Sequence, residues 1–337
     1  MKHHQVVIIG GGPAGAACAG RLVSAGADVL LLDKSSFPRK KTCAGWITPQ
    51  VLSDLDLDPS EYPYSLSKYQ ALRIFLKGIP ILWPGDQYAI RRIEFDDWLL
   101  KRSGAAVKQH HVRRITRENG RYILDDAFSA DYLVGAGGTH CPVYHALFRE
   151  EHPRTGSRIA ALEAEFSYEW KDGKPRLWFF DRGLAGYAWY LPKVDGYLNI
   201  GLGGDVRVLK KSGRTIQEHW GFLLEKLRGK GLISGPIPDP DGYVYHLRGP
   251  GAAYRIDNAF LVGDAAGLAS LDMGEGIGPA LESGQLAAEA ILHQRPYTLE
   301  SISQFSLLPG WLGWLMAGKA GASPRIPTLY SRKHRDT

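Results

Sequence analysis

The sequence predicts an α/β chain in which a parallel sheet is interrupted by a second, antiparallel sheet. Three observations carry this reading. Residues 5–33 run through an apolar strand, a glycine-rich turn, a helix, a second apolar strand and an acid. Residues from about 156 to 247 break into short strand-like runs parted by Gly- and Asp-containing turns. The buried-strand texture then returns at Asn258-Ala-Phe-Leu-Val-Gly263, followed by a long helix at about 275–293.

The first unit is the most informative. Val6 to Ile9 are wholly apolar, as a buried parallel strand requires. Gly10 and Gly12 allow a tight turn that brings bare backbone close to a pyrophosphate, and Gly15 lets the helix pack against the strand. The helix, about Pro13 to Ala25, starts with Pro13-Ala14, where a missing N–H costs nothing. Its free N–H groups and dipole suit phosphates. Val29 to Asp33 form the second run, and Asp33, followed by Lys34, stands where an acid accepts hydrogen bonds from a ribose. A glycine-rich turn alone is a weak signal. The full strand–turn–helix–strand–acid set is a strong one, and it defines a Rossmann-like dinucleotide site.

Further along, Tyr69–Leu76 and Ile79–Trp83 read as strands parted by Lys77-Gly78. Phe95, Trp98 and Leu99 give residues 94–103 the apolar stripe of a helix. Residues 121–134 form two strands. In the middle stretch, 159–170, 176–180, 186–191 and 196–203 read as strands, with Lys174-Pro175 and Asp195-Gly196 as turns, and 215–226 reads as a helix. The chain is therefore expected to leave the dinucleotide fold and re-enter it. Residues 1–68, 91–155 and 248–300 form the discontinuous nucleotide domain. Residues 69–90 and 156–247 form an antiparallel-sheet domain, and 301–337 a short helical region with a basic tail.

The 337 residues are enough for a large core, and the formal charge is +6. Runs such as Arg39-Lys40-Lys41, Arg113-Arg114 and Arg332-Lys333-His334-Arg335 read as solvated surface. No basic–aromatic recognition pattern is present, so nucleic acid is not expected as a partner. Three cysteines, at 18, 43 and 141, lack metal-ligand spacing and fit a reducing, cytoplasmic setting. The chain opens on its first strand and holds no run of about 18 apolar residues, so neither a signal peptide nor a membrane-spanning helix is expected.

The re-entry segment decides the cofactor. Phe260-Leu-Val-Gly263-Asp264-Ala-Ala-Gly267 and Gly274-Glu-Gly276-Ile277 resemble the second FAD signature of the para-hydroxybenzoate hydroxylase-like flavoproteins. The resemblance implies FAD, with Asp264 accepting a hydrogen bond from the ribityl chain. It also implies that Gly274 and Gly276 let backbone approach the flavin ring, and it assigns Gly263 and Ile277 to the cofactor. A helix starting near Glu275 would aim its positive end at the ring. Phe37-Pro-Arg-Lys-Lys-Thr-Cys43-Ala44-Gly45 resembles the loop that follows the ribose-binding acid in geranylgeranyl reductases. Tyr187-Ala-Trp189-Tyr-Leu-Pro192, followed by Asn199-Ile-Gly201, resembles the substrate-cavity motif of those enzymes. Arg91-Arg92-Ile-Glu94 resembles the arginine-led helix start that holds FAD, with Arg92 as the aligned arginine. The resemblance spans roughly residues 1–300. It assigns Ala44, Gly45, Arg92, Val112 and Gly137 to the cofactor, and Tyr187, Trp189 and Pro192 to the substrate.

Two departures stand out. Gly135-Ala-Gly137-Gly138 replaces the Gly-Ala-Asp-Gly of related hydroxylases, which argues against hydroxylase-like use of NAD(P)H. Leu271 stands where a proline is expected.

Cys43 is the catalytic candidate. A thiol beside the flavin, with Lys40 and Lys41 nearby, suits proton donation or redox gating, and loop filling is the plain alternative. Cys18 and Cys141 read as structural. Glu163 and Glu165 alternate and read as a surface face. The adjacent pairs His3-His4 and His110-His111 point to opposite faces and suit no single metal. The apolar run 305–318, with Trp311 and Trp314, reads as a packed terminal helix, with peripheral membrane contact as the alternative.

The expected function is an FAD-dependent oxidoreductase that transfers hydride from reduced flavin to a C=C bond of an apolar, isoprenoid-like substrate. A ferredoxin-like protein or NAD(P)H would supply the electrons. The alternatives are an FAD monooxygenase or halogenase-like enzyme working through a flavin hydroperoxide, and a non-catalytic flavin-binding protein.

Overall fold

The computed structural model describes residues 1–307, and the apolar run beyond Leu307 and the basic tail lie outside the described residues. In chain order the elements are β1 (Lys2–Ile9), α1 (Pro13–Ser24), β2 (Val29–Asp33), β3 (Trp46–Ile47), α2 (Pro49–Asp54), β4 (Leu66–Leu76), β5 (Ile79–Ile90) and α3 (Arg92–Arg102). Next come β6 (Ala106–Gln109), β7 (Ile115–Glu118), β8 (Arg121–Leu124), β9 (Phe128–Gly135), β10 (Arg158–Ser167), β11 (Arg176–Phe179), β12 (Gly186–Lys193) and β13 (Tyr197–Asp205). The chain continues through α4 (Val206–Ser212), α5 (Ile216–Gly229), β14 (Asp241–His246), β15 (Arg255–Ile256), β16 (Ala259–Leu261) and α6 (Ile277–His293).

The first sheet runs β15-β16-β9-β1-β2-β6, and β16, β9, β1, β2 and β6 are parallel. β1 lies between β2 and β9 because Val6 to Ile9 are apolar on both faces and stay buried. Helices α1, α3 and α6 cover one side, where Leu22, Phe95, Leu99 and Leu281 meet Val6 and Ile8. The other side buries Val7, Ile9, Leu133 and Phe148. Ligands bind such sheets beyond the carboxyl ends of the strands, where the connections diverge to either side. Here that place is the end of β1, between the neighbouring ends of β2 and β9.

The second sheet runs β14-β10-β13-β12-β11-β4-β5-β3. One face packs on α4 and α5 through Leu198, Ile200, Trp220 and Leu223. The other face looks back at the first sheet. Among the described residues its one parallel junction is β4 with β11, where Ile74 lies beside Leu177 and Leu76 beside Phe179. Sequence texture suggests only antiparallel pairing here. The parallel pair arises because β4 enters from a distant segment rather than through a hairpin.

The fold has the expected arrangement: a Rossmann-like, mainly parallel sheet with an inserted, mainly antiparallel second sheet. Two expectations need correcting. Glu163 and Glu165 do not form a solvated face. Glu163 is 6% exposed, because the loop at Cys43 and the side chain of Asn199 cover it. The run Arg39-Lys40-Lys41 is not uniformly solvated either. Lys40 reaches out toward Asp241, whereas Lys41 turns inward over the ring of Tyr243.

Candidate FAD and substrate site

A cavity of about 1020 Å³ lies between the two sheets. At one end are Gly10, Gly12, Pro13, Ala14, Asp33 and Lys34. Gly10 has φ +113°, and a Cβ there would lie 2.3 Å from the Ala136 carbonyl oxygen. Gly12 differs, since a Cβ there would meet only Arg39 Nη2, at 3.5 Å, and would otherwise project into open space. Helix α1 starts at Gly12 with no side-chain cap and no acid in its first turn. Its first N–H groups are therefore free for an anion. The Asp33 carboxylate accepts from Gly11 N (2.7 Å) and Ser35 N (2.8 Å) and still borders the cavity.

The middle of the cavity is where segments far apart in the sequence meet. Tyr243 OH donates to Asp264 (3.3 Å), and Lys41 Nζ sits 3.0 Å over the Tyr243 ring. Burial pushes the Lys41 ammonium down to about 8, partly opposed by Asp264. Gly274 has φ +60°, and a Cβ there would lie 2.2 Å from Tyr245 OH. Glu275 bends back over the start of α6, where its Oε1 accepts from Gly278 N (2.8 Å). Burial pushes this carboxyl up to about 7 against that hydrogen bond.

Arg92, Cys43 and Ala44 border the same space. Arg92 is 8% exposed and forks onto the fully buried Asp96, with Nε to Oδ1 at 2.7 Å and Nη2 to Oδ2 at 2.9 Å. Burial opposes its charge, but Asp96 and then the facing Cys43 outweigh that and hold its pKa above the usual range. At the far end Tyr187 OH donates to the Met273 carbonyl (2.6 Å), and its ring stacks on Phe179 (5.0 Å). Trp189 Nε1 donates to Asn199 Oδ1 (2.7 Å).

Of the residues assigned from sequence, Gly137, Val112, Gly276, Ile277, Asp264, Tyr187 and Trp189 also reach the cavity. Four are placed behind its wall. Gly15 lets α1 pass the Gly10 carbonyl, 1.9 Å from where its Cβ would be. Gly45 passes the Ile90 carbonyl in the same way, at 2.1 Å. Gly263, with φ +56°, packs between Ala14 and Ala280. The Pro192 carbonyl accepts from Tyr69 OH. Tyr243, Glu163 and Asn199 carry no site role in the sequence reading, and Lys41 enters it only as a neighbour of Cys43. Asn199 was visible within the quoted motif but carried no role there.

The residues present fit FAD: a bare helix N-terminus, an open place at Gly12, and Arg39 and Lys41 among buried carboxylates. Stability should reflect those carboxylates. A carboxyl raised in the folded state binds its proton more tightly there than in the unfolded chain. Folding stability then falls as pH rises from the ordinary carboxyl range to about 7, and is flat above it. Removing the charge by Glu275→Gln should reduce that slope, leaving the share due to Glu163, and stabilise the protein near pH 8 by roughly 1–3 kcal/mol. Urea melts at several pH values measure it, and an unchanged slope would rule it out.

Comparisons with known proteins place the chain in a family. The family described as FAD dependent oxidoreductase (DAO) matches residues 5–98. The menaquinone reductase of Mycolicibacterium smegmatis is 30% identical over 321 residues, covering 85% of this chain and 75% of its own. Digeranylgeranylglycerophospholipid reductase 3 of Methanosphaera stadtmanae is 29% identical over 336 residues, covering 91% and 82%. Among solved structures, a geranylgeranyl bacteriochlorophyll reductase-like protein from Thermoplasma acidophilum superposes with a TM-score of 0.75 at 20% identity, covering 87% of this chain and 79% of that one. Fold, cradle and relatives together define an FAD-dependent oxidoreductase. Within that class the chain belongs to the geranylgeranyl reductase family.

Proposed function

We propose that the protein reduces a C=C bond of an apolar, isoprenoid-like substrate. FAD would be held by segments 1–68, 91–155 and 248–300, and the substrate by the sheet from 69–90 and 156–247. The reading rests on one observation. Two cross-strand rows, Trp189–Leu177–Ile74–Ile81 and Tyr187–Phe179–Leu76–Ile79, run outward from the flavin side on one face of the second sheet. The outermost side chains, Ile79 (66% exposed) and Ile81 (40%), stand at its open edge. Such a wall suits a long apolar chain rather than a small polar ring. Relatives named for menaquinone and digeranylgeranylglycerophospholipid reduction support the same substrate class.

Reduced FAD would supply the hydride when bound. The protein's own residues would orient the alkene on the Tyr187–Trp189 wall, exclude water, and deliver one proton. Cys43 borders the junction of cradle and wall and is the candidate donor. No helix among the described residues is long and apolar enough to cross a membrane.

Reduced enzyme mixed anaerobically with polyprenyl substrates should reoxidise, and Cys43→Ala should slow that step by on the order of 10²–10⁴-fold. An unchanged rate would leave Cys43 as a loop-filling side chain. No reoxidation by any alkene, with substrate-dependent oxygen uptake instead, would point to a monooxygenase and overturn the reductase reading.

A further inference from the structure

Beneath the Cys43 loop lies a polar group that neither the FAD cradle nor the apolar wall uses. Glu163, on β10, accepts from Cys43 N at Oε2 (2.8 Å) and from Asn199 Nδ2 at Oε1 (2.6 Å). Asn199, on β13, is fully buried and its Nδ2 also donates to the Cys43 carbonyl (3.3 Å). Both backbone polar groups of Cys43 are thus held by side chains of the second sheet. The Asn199 amide has one workable orientation, because Trp189 Nε1 can only donate and takes Oδ1. The amide NH₂ is left facing Glu163 and, at 3.3 Å, Oε2 of Glu165.

We propose that Glu163 is a positioning residue: its carboxylate, oriented through Asn199, clamps the Cys43 loop against the cavity, and neutralising it frees the loop. The proposal deepens the reading of this cavity as a substrate chamber, without depending on which reaction occurs there. Both groups that approach Glu163 are donors, one at each oxygen, and an ionised carboxylate accepts both most strongly. A protonated carboxyl or a carboxamide can turn its own hydrogen on one of them, and Asn199 cannot flip without abandoning Trp189.

The surrounding charges set when the clamp engages. From β12, Lys193 favours the carboxylate, and on β10 itself Glu165 opposes it. Lys193 is in turn held by Glu165 (2.5 Å) and by the Ile90 carbonyl (2.8 Å), while Arg91 reaches Glu165 (3.2 Å). Across from Glu163 on β14, Asp241 pairs outward with Lys40 (3.7 Å). Burial dominates these and pushes the Glu163 carboxyl up to about 7. The clamp therefore tightens above neutral pH and loosens below it. Since Trp189 hangs on the same Asn199, loop and aromatic wall should respond together.

Cysteine reactivity reads the loop directly, because Cys18 and Cys141 are fully buried and Cys43 is partly exposed. In the FAD-loaded protein, Glu163→Gln should raise iodoacetamide labelling of Cys43 about tenfold at one fixed pH, with Cys18 and Cys141 still protected. In the wild type, hydrogen exchange of residues 42–46, corrected for intrinsic chemistry, should be faster about one pH unit below neutral than one unit above, and this difference should vanish in Glu163→Gln. Equal labelling of Cys43 in the two proteins, or a wild-type loop equally protected at both pH values, would overturn the proposal. If the variant labels at all three cysteines it has unfolded, and the wild-type exchange measurement alone then decides. Neither readout needs turnover, so failure of the reductase assay leaves this test standing.

Discussion

Arg92→Met is expected to lower folding stability by about 3–5 kcal/mol, the cost typical of removing one partner from a buried ion pair. Asp96 is 0% exposed, and its two oxygens receive the Arg92 fork at 2.7 and 2.9 Å. With Arg92 gone, the nearest cation is Arg39, 3.5 Å away and too far for a good hydrogen bond. The buried Asp96 carboxylate would then keep only that longer ion pair, without the two short hydrogen bonds that offset its burial. Lysine should not rescue it, since an ammonium cannot make two parallel N–H bonds to one carboxylate. Removing both charges together, by Arg92→Met with Asp96→Leu, should recover most of the loss. Urea denaturation with an unchanged m-value is the measurement. A loss below about 1 kcal/mol would place the pair with ordinary surface bridges and sink the argument.

The same pair qualifies what the resemblance implied for Arg92. Its position at the start of α3 was legible from Arg91-Arg92-Ile-Glu94, but its partner was not. Asp96, one turn on, takes Nε and Nη2. Arg92 therefore borders the cavity with two of its five N–H donors committed to Asp96. Its remaining N–H donors and its charge would be what it offers to FAD, with Cys43 facing it.

Other features divide along the same physical line. The nucleotide cradle was readable because its parts are neighbours in sequence: a strand, two glycines, a helix start and an acid. The strands and helices followed from local apolar periodicity. Glu163 was misread because alternation shows only that Glu163 and Glu165 share a face. Whether that face meets water depends on Cys43, 120 residues away, and on Asn199. The β4–β11 junction is hidden for the same reason, since a parallel pair leaves no hairpin signal. Lys41 looked like surface because a run of three cations is usually solvated. Only the fold shows that it turns inward over Tyr243. Gly15, Gly45 and Gly263 show a further limit. A motif records residues that approach the ligand together with residues that brace them, and spacing cannot separate the two.

Gly12→Val offers a way to separate those roles by experiment. At Gly10 an added Cβ would sit 2.3 Å from the Ala136 carbonyl at φ +113°, so Gly10→Ala should destabilise the folded chain itself. At Gly12 the backbone is extended (φ −73°, ψ −176°), a conformation any residue can adopt, and the added carbon would find only the flexible end of Arg39 at 3.5 Å. The apoprotein should therefore melt within a few degrees of wild type. The valine methyls would occupy the open space before the first N–H groups of α1, where the pyrophosphate would be bound. Overpacking of that order, about 1–3 kcal/mol, corresponds to roughly 10–100-fold weaker FAD binding. Protein-fluorescence titration of the apoprotein with FAD, paired with thermal melts, reads both quantities. Equal loss of stability at Gly12 and Gly10 would mean both glycines serve the fold. Undiminished FAD binding in Gly12→Val would mean that the phosphates do not lie over the α1 N-terminus.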